Sequence, residues 1–170
     1  KLDEKLWTDK PSIIESYLHE QRGNLKGKSP LLIRPKNTDD VIKIVKICKK
    51  YKISIVPQGG RTGLCGGTIA NNSNDEVLLS TERMNKINEI NKNNFYIIAQ
   101  SGCTLESIKK NAENYNRYFP LTLPSENACT IGGNISTNAG GSGVLKYGMT
   151  KDLVEGIEVV LPNGKILNTI

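Results

Sequence analysis

The stretch PQGGRTGLCGGT, Pro57 to Thr68, follows directly on a short apolar run. Glycine has no Cβ, so a chain rich in it can turn left-handed and aim several successive backbone N–H groups at one oxygen-rich anion. That is how a loop holds a pyrophosphate. A lone Gly-Gly pair is more often a plain turn. Two pairs, Gly59-Gly60 and Gly66-Gly67, bracket Thr62 and start straight from a strand-like segment, which points to an anion. Arg61 and Thr62 can add donors, and Arg61 reads equally well as a solvated surface charge.

A second cluster, LPSENACTIGGNISTNAGGSGVLKYGMT, runs from Leu123 to Thr150. It supplies Gly132-Gly133 and Gly140-Gly141, with Ser125, Thr130, Asn134, Ser136 and Asn138 as hydrogen-bonding residues between them. Such a segment can lie along an extended polar ligand while its glycines admit close backbone approach. One loop for phosphate and one for a long groove suggest a ligand with a diphosphate and two ring systems.

Other site chemistries fail on spacing. Gly141-Ser142-Gly143 is followed three residues later by Lys146, so the Rossmann G-x-G-x-x-G is absent. Gly23 to Ser29 is one residue short of a P-loop, and Pro30 interrupts the helix that must follow. Cys48, Cys65, Cys103 and Cys129 form no C-x-x-C and signal neither zinc nor a disulfide framework. His19, the only histidine, reads as a surface residue.

The elements that must position these clusters follow from periodicity. Pro11 to about Gln21 reads as a helix with Ile13, Ile14, Tyr17 and Leu18 on one face. A second helix is capped by Thr38, starts with Asp39 and Asp40, and repeats Val41, Ile44, Val45 and Cys48 inward. Short strands are expected at Ser54 to Val56, ending at Pro57, at Val77 to Leu79 and at Phe95 to Ala99. A third helix starts near Thr104 with Leu105, Ile108 and Ala112 inward, and Pro124 to Gly148 is expected to be a long functional loop. Glu155 to Leu161 and Lys165 to Leu167 flank Pro162-Asn163-Gly164 as a hairpin.

The bulk numbers set the frame. A chain of 170 residues holds one domain or two small lobes. Its 23 Lys and Arg against 17 Asp and Glu leave a net charge of +6, which welcomes an anion. The lysines are dispersed among asparagines without aromatic platforms, so a nucleic-acid partner is not expected. No apolar stretch reaches the ~20 residues of a membrane span. The unpaired thiols fit a reducing cytoplasm, which makes the sequons at Asn71 and Asn134 chance matches. The chain starts without Met and stops after a strand-like segment, so both ends read as cut.

These residues resemble the FAD-linked oxidases of the vanillyl-alcohol oxidase or p-cresol methylhydroxylase (PCMH) type, in the D-lactate, glycolate and D-2-hydroxyglutarate dehydrogenase branch. The matching stretches are SPLLIRPKNTDDV, IVPQGGRTGLCGGT, LLSTERMNKI, CTIGGNISTNAGG, LKYGMTKD and GIEVVLPNGKIL, in order from Ser29 to Leu167. The resemblance implies an α+β, two-lobed PCMH-type FAD-binding domain: a small α/β lobe plus a larger, mainly antiparallel sheet flanked by helices, truncated at its C-terminal side. Residues 1–80 form the first lobe with the pyrophosphate loop and 81–170 an incomplete second lobe. The substrate cap domain, with its catalytic residues, is absent.

Carried over position by position, the resemblance implies a cofactor site that begins at Pro57. Its pyrophosphate lies against Gly59, Gly60, Arg61, Thr62, Gly63 and Leu64, with Gly66 and Gly67 closing the turn. Ser80 lies near the ribityl or ring end. Pro124, Gly132, Gly133, Ser136, Asn138, Gly140 and Gly143 line the groove, with Lys146 and Tyr147 beside them, and Gly156 and Ile157 approach the adenine. Relatives with covalent flavin carry a histidine in the first loop where Gly60, Arg61 and Thr62 stand here, so non-covalent FAD is expected, with Cys129 a buried thiol.

The implied activity is dehydrogenation of a 2-hydroxy acid such as lactate, glycolate or 2-hydroxyglutarate, with electrons passed on to an acceptor that the sequence does not name. No residue here takes a catalytic role in that reading. A non-catalytic remnant of the fold is the alternative. The related enolpyruvyl-sugar reductases carry Gly-Ser-Asn where this chain has Arg61-Thr62-Gly63.

Overall fold

The computed structural model of the protein describes residues 2–170. A four-stranded sheet occupies its first half. The strands are β1 (Trp7–Thr8), β2 (Leu32–Ile33), β3 (Ser54–Gln58) and β4 (Glu76–Ser80), in the spatial order β1-β2-β4-β3. β4 is parallel to both β2 and β3, and β1 closes the far edge antiparallel to β2. Helix α1 (Pro11–Ile14) lies toward one face and α2 (Thr38–Tyr51) covers the other.

Strand alternation explains this sandwich. Leu32 pairs with Leu78 and Ile33 with Leu79, so each register pair faces one way. Leu32, Leu78 and Val56 pack with Ile14, Tyr17 and Leu18, whereas Ile33, Val77 and Leu79 pack with Ile44 and Cys48 of α2. A strand buried on both faces reads as a continuous apolar run, and β4 does. β3 runs through Pro57 to Gln58, one residue past the expected end at Pro57. It tolerates the proline because it is the edge strand, where a missing N–H breaks no ladder.

Two expectations about the helices change. α1 keeps its start and its inward face, but after a single 3₁₀ turn (Glu15–Tyr17) the chain leaves the helix. The Glu20 N–H donates to the Leu25 carbonyl and the Gly27 N–H to that of Leu18, so a short antiparallel excursion takes the backbone groups that a longer helix would have used. In α2 the cap is Asn37, whose side chain accepts from the Asp40 N–H at 2.9 Å; Thr38 is the first helical residue and donates instead to Glu158.

The second half holds two hairpins, β5 (Ile87–Asn91) with β6 (Tyr96–Ala99), and β7 (Glu158–Val160) with β8 (Ile166–Asn168). β6 and the β7–β8 hairpin lie where expected; β5 lacks a clean alternating pattern and was missed. Helix α3 (Leu105–Glu113) is capped by Thr104 and buries Leu105, Ile108 and Ala112, as its spacing requires. The segment expected as an open loop contains two short helices, α4 (Ile131–Ser136) and α5 (Val144–Tyr147). Glycine disfavours helix, but tertiary packing overrides it here: a Cβ on Gly132 would stand 2.6 Å from that of Ser101.

Candidate functional site

The two glycine clusters meet. Past the end of β3, Gly59 and Gly60 lie directly on the main chain of residues 128–130. A Cβ on Gly60 would stand 2.8 Å from the Ala128 carbonyl carbon and closer still to its oxygen; one on Gly59 would press on the Thr130 hydroxyl. The reason for these two glycines is therefore close approach, since neither has a positive φ. The left-handed positions of the first loop are Arg61, φ 55°, and Gly66, φ 74°. The expectation of a left-handed turn is thus met at Gly66 and corrected for Gly59-Gly60, whose place in the turn is taken by Arg61.

A cavity of about 460 Å³ opens at this contact, within the range of small-molecule sites. The first loop contributes Gly59, Gly60 and Arg61, and the link from β4 to β5 contributes Glu82 and Asn85. Gly102, Cys103, Thr104 and Ser107 come from the start of α3, and Ala128 and Thr130 from the start of α4. Thr130 is buried and its hydroxyl has no hydrogen-bond partner, although it stands at a helix N-cap where such a group usually accepts from the backbone. A buried hydroxyl without a partner costs about 1–3 kcal/mol, so a ligand oxygen or N–H at this point would relieve it.

Gly63 and Gly67 supply a second fit. Each has a normal φ and nothing within 4 Å of the place a Cβ would take. The protein's own packing does not call for glycine there, and the space beside the loop is open to an approaching ligand. Gly63 and Leu64 are exposed, and Thr62 is partly covered. Backbone donors, an unpartnered hydroxyl, an arginine and room for an approaching chain together fit a diphosphate.

Arg61, Tyr17 and Glu82 form a cluster at the rim. The guanidinium lies over the Tyr17 ring, 4.2 Å from its centroid, and the Tyr17 hydroxyl donates to Glu82 Oε2 at 2.6 Å. Arg34 donates to the other oxygen of Glu82 at 3.4 Å. Burial, and then the hydrogen bond to Glu82, push the Tyr17 phenol above its ordinary value. Burial likewise raises the Cys103 thiol, which donates to the Lys86 carbonyl.

The remaining expected residues divide. Gly132 and Gly133 sit in α4 beside the cavity, against Ser101 and Thr130 respectively. Pro57 lies in β3, and Ser80 is fully buried at the end of β4, where its hydroxyl accepts from the Glu82 N–H. Pro124 is exposed in the turn ahead of α4. Gly156 and Ile157 line a second cavity of about 250 Å³ with Ile135, Lys151 and Thr169. α4 links the two, with Thr130 at its start in the first cavity and Ile135 near its end in the second.

Ser136 donates back to the Gly132 carbonyl, and Asn138 accepts from the Lys151 N–H, which braces the end of α4 against the segment after α5. Gly140 packs on Met149 and Val144, and Gly143 on the Pro120 carbonyl. Lys146 and Tyr147 lie apart from both cavities, Tyr147 edge-on to Tyr118 at 6.0 Å. Glu82, Asn85, Ser107 and the Gly102–Thr104 turn carry no site signal in the sequence, where Thr104 marks only a helix start. Glu82 and Asn85 were in view within LLSTERMNKI, but nothing in their spacing marks them.

Among the described residues no cluster of three or more His, Cys, Asp or Glu is placed to hold a metal ion, and no helix is long and apolar enough to cross a membrane. His19 is exposed and pairs with Glu15 at 2.9 Å.

Comparison with known proteins agrees with this geometry. Residues 29–170 match the family model described as "FAD binding domain". The chain is 38% identical over 160 residues to the mitochondrial D-2-hydroxyglutarate dehydrogenase of Danio rerio, covering 94% of this chain and 30% of that protein. It is 38% identical over 156 residues to a D-lactate dehydrogenase of Anaerostipes hadrus, covering 91% and 32%. The fold superimposes on alkyldihydroxyacetonephosphate synthase with a TM-score of 0.87 at 21% identity, over 98% of this chain and 32% of the other. The chain thus spans about a third of the length of the relatives it matches.

Proposed function

This chain belongs to the FAD binding domain family, and from that premise we propose that it is the dinucleotide-holding part of a flavin-dependent dehydrogenase of 2-hydroxy acids. The observation that carries the reading is the contact of Gly59 and Gly60 with residues 128–130, which leaves the Thr130 hydroxyl unpartnered beside a cavity. The relatives named for D-2-hydroxyglutarate and D-lactate support a D-2-hydroxy acid as substrate.

When bound, FAD supplies the two-electron acceptor for a hydride from the hydroxyl-bearing carbon. The chain's own residues bind and orient. The backbone of residues 59–64 and 66–67 takes the diphosphate, with Pro57 fixing the strand from which the loop leaves. Thr130, Gly132 and Gly133 follow the dinucleotide along α4, flanked by Ser80, Pro124, Ser136, Asn138, Gly140 and Gly143. Gly156 and Ile157, in the second cavity, receive the adenine. With Gly60, Arg61 and Thr62 where covalent relatives hold a histidine, the cofactor is held without a covalent bond.

The division into a first lobe of residues 1–80 and a second of 81–170 belongs to this reading, and is supported by the sheet lying before residue 81 and the hairpins after it. The four free cysteines support a reducing compartment such as the cytoplasm.

The test is to purify the full-length gene product with added FAD and record its visible spectrum. Flavin absorbance that survives desalting and is released by denaturation supports non-covalent FAD. A colourless protein refutes the assignment.

A further inference from the structure

Arg61 is the one residue of the first loop with a charged side chain, and its backbone is in the left-handed region, φ 55°, which few non-glycine residues adopt. That conformation goes with a guanidinium lying over the Tyr17 ring, 4.2 Å from its centroid. Tyr17 itself is held: the residue is 8% exposed and its hydroxyl donates to Glu82 at 2.6 Å, with Arg34 on the other carboxylate oxygen. Glu82 is thus occupied by Tyr17 and Arg34. Among the described residues no carbonyl or carboxylate accepts a hydrogen bond from the Arg61 guanidinium, and Arg61 lines the cavity together with Thr130, whose buried hydroxyl has no partner.

Building on the proposed dinucleotide site, we propose that Tyr17 is a positioning residue that holds the Arg61 guanidinium over its ring at the cavity rim as the counter-charge for the diphosphate. A guanidinium stacked on an aromatic face keeps its N–H edge free, and that edge matches two phosphate oxygens at once. An unstacked arginine in a loop would have to lose rotamer freedom on binding; the ring removes that loss in advance. Tyr17 lies ahead of residues 29–170, which match the family model. The segment preceding the family's match therefore acts on its phosphate loop.

The experiment measures binding of FAD, ADP and riboflavin to the full-length protein and its variants by fluorescence and calorimetric titration. Arg61→Ala and Tyr17→Met each weaken FAD and ADP by about tenfold, the scale of a charge-assisted contact, and leave riboflavin, which has no phosphate, unchanged. The double variant is no weaker than Arg61→Ala alone, because Tyr17 acts through Arg61. Tyr17→Phe keeps the ring and stays within about threefold, whereas Arg61→Lys keeps the charge, loses the fork and falls about fivefold. Additive losses, a parallel loss of riboflavin, or wild-type ADP affinity in Arg61→Ala overturns the proposal. If Tyr17→Met does not fold, the two Arg61 variants decide. A wild-type protein that binds neither FAD nor ADP refutes the underlying cofactor reading instead.

Discussion

Gly60 rests on the carbonyl group of Ala128, so close that a Cβ at position 60 would overlap its oxygen and stand 3.0 Å from the Cα of Cys129. The atoms that would move are backbone, and the contact joins the two glycine-rich segments at the point where the cavity opens.

Replacing Gly60 with valine therefore damages the protein twice. The overlap costs about 1–3 kcal/mol of stability on the scale of overpacking, read as a lower urea midpoint, and the displaced loop loses flavin. Unchanged stability together with normal flavin content would show that the two segments do not depend on this contact.

Gly63→Ala separates binding from folding. The added methyl enters open space at an ordinary φ, so the free energy of unfolding stays within about 0.5 kcal/mol of wild type, as for a surface substitution. FAD affinity falls, because the methyl stands where the ligand must approach. Retention of full affinity would place the diphosphate elsewhere.

Thr130→Val removes a hydroxyl that the protein leaves without a partner. Since Thr130 makes no side-chain cap bond, no cap is lost. Stability without cofactor holds or rises by up to about 1 kcal/mol, while FAD affinity drops about tenfold, as for a lost hydrogen bond in a buried site. Titration calorimetry beside urea unfolding resolves the two opposite signs.

Asn37→Ala destabilises by about 1 kcal/mol through loss of the α2 cap, and Thr38→Ala by less, since it removes only the exposed contact to Glu158. Equal losses would contradict the cap assignment.

Three groups raised mainly by burial contribute to the alkaline limb of stability. Cys48 and Cys103 are lifted above 9.0 by burial, and Tyr17 above 10.0 by burial and the bond to Glu82. In each case the folded state holds its proton more tightly than the unfolded chain. Their contribution is complete below the unfolded value and is lost as pH rises through the folded one. Urea midpoints without cofactor should fall as pH passes 9 and 10, and Tyr17→Phe should flatten the part above 10. A limb of the same steepness in Tyr17→Phe would remove Tyr17 as a cause.

By itself, the order of residues determined whatever depends on neighbours a few positions away. The inward faces of α2 and α3, the helix start near Thr104, the apolar strand β4 and the Asn163-Gly164 turn are local patterns, legible because helical and strand periods repeat within one element. Both glycine clusters were legible for the same reason. Tertiary structure alone decided what those glycines are for. Gly59 and Gly60 are small because residues 128–130 arrive from far along the chain, Gly132 because Ser101 does, and the helix around it forms against local propensity. Glu82, Asn85 and Ser107 carry no spacing signal, and the hold of Tyr17 on Arg61 spans parts of the chain that only the packed sheet brings together. Sequence spacing measures distance along the chain, whereas a binding site is defined by distance through space.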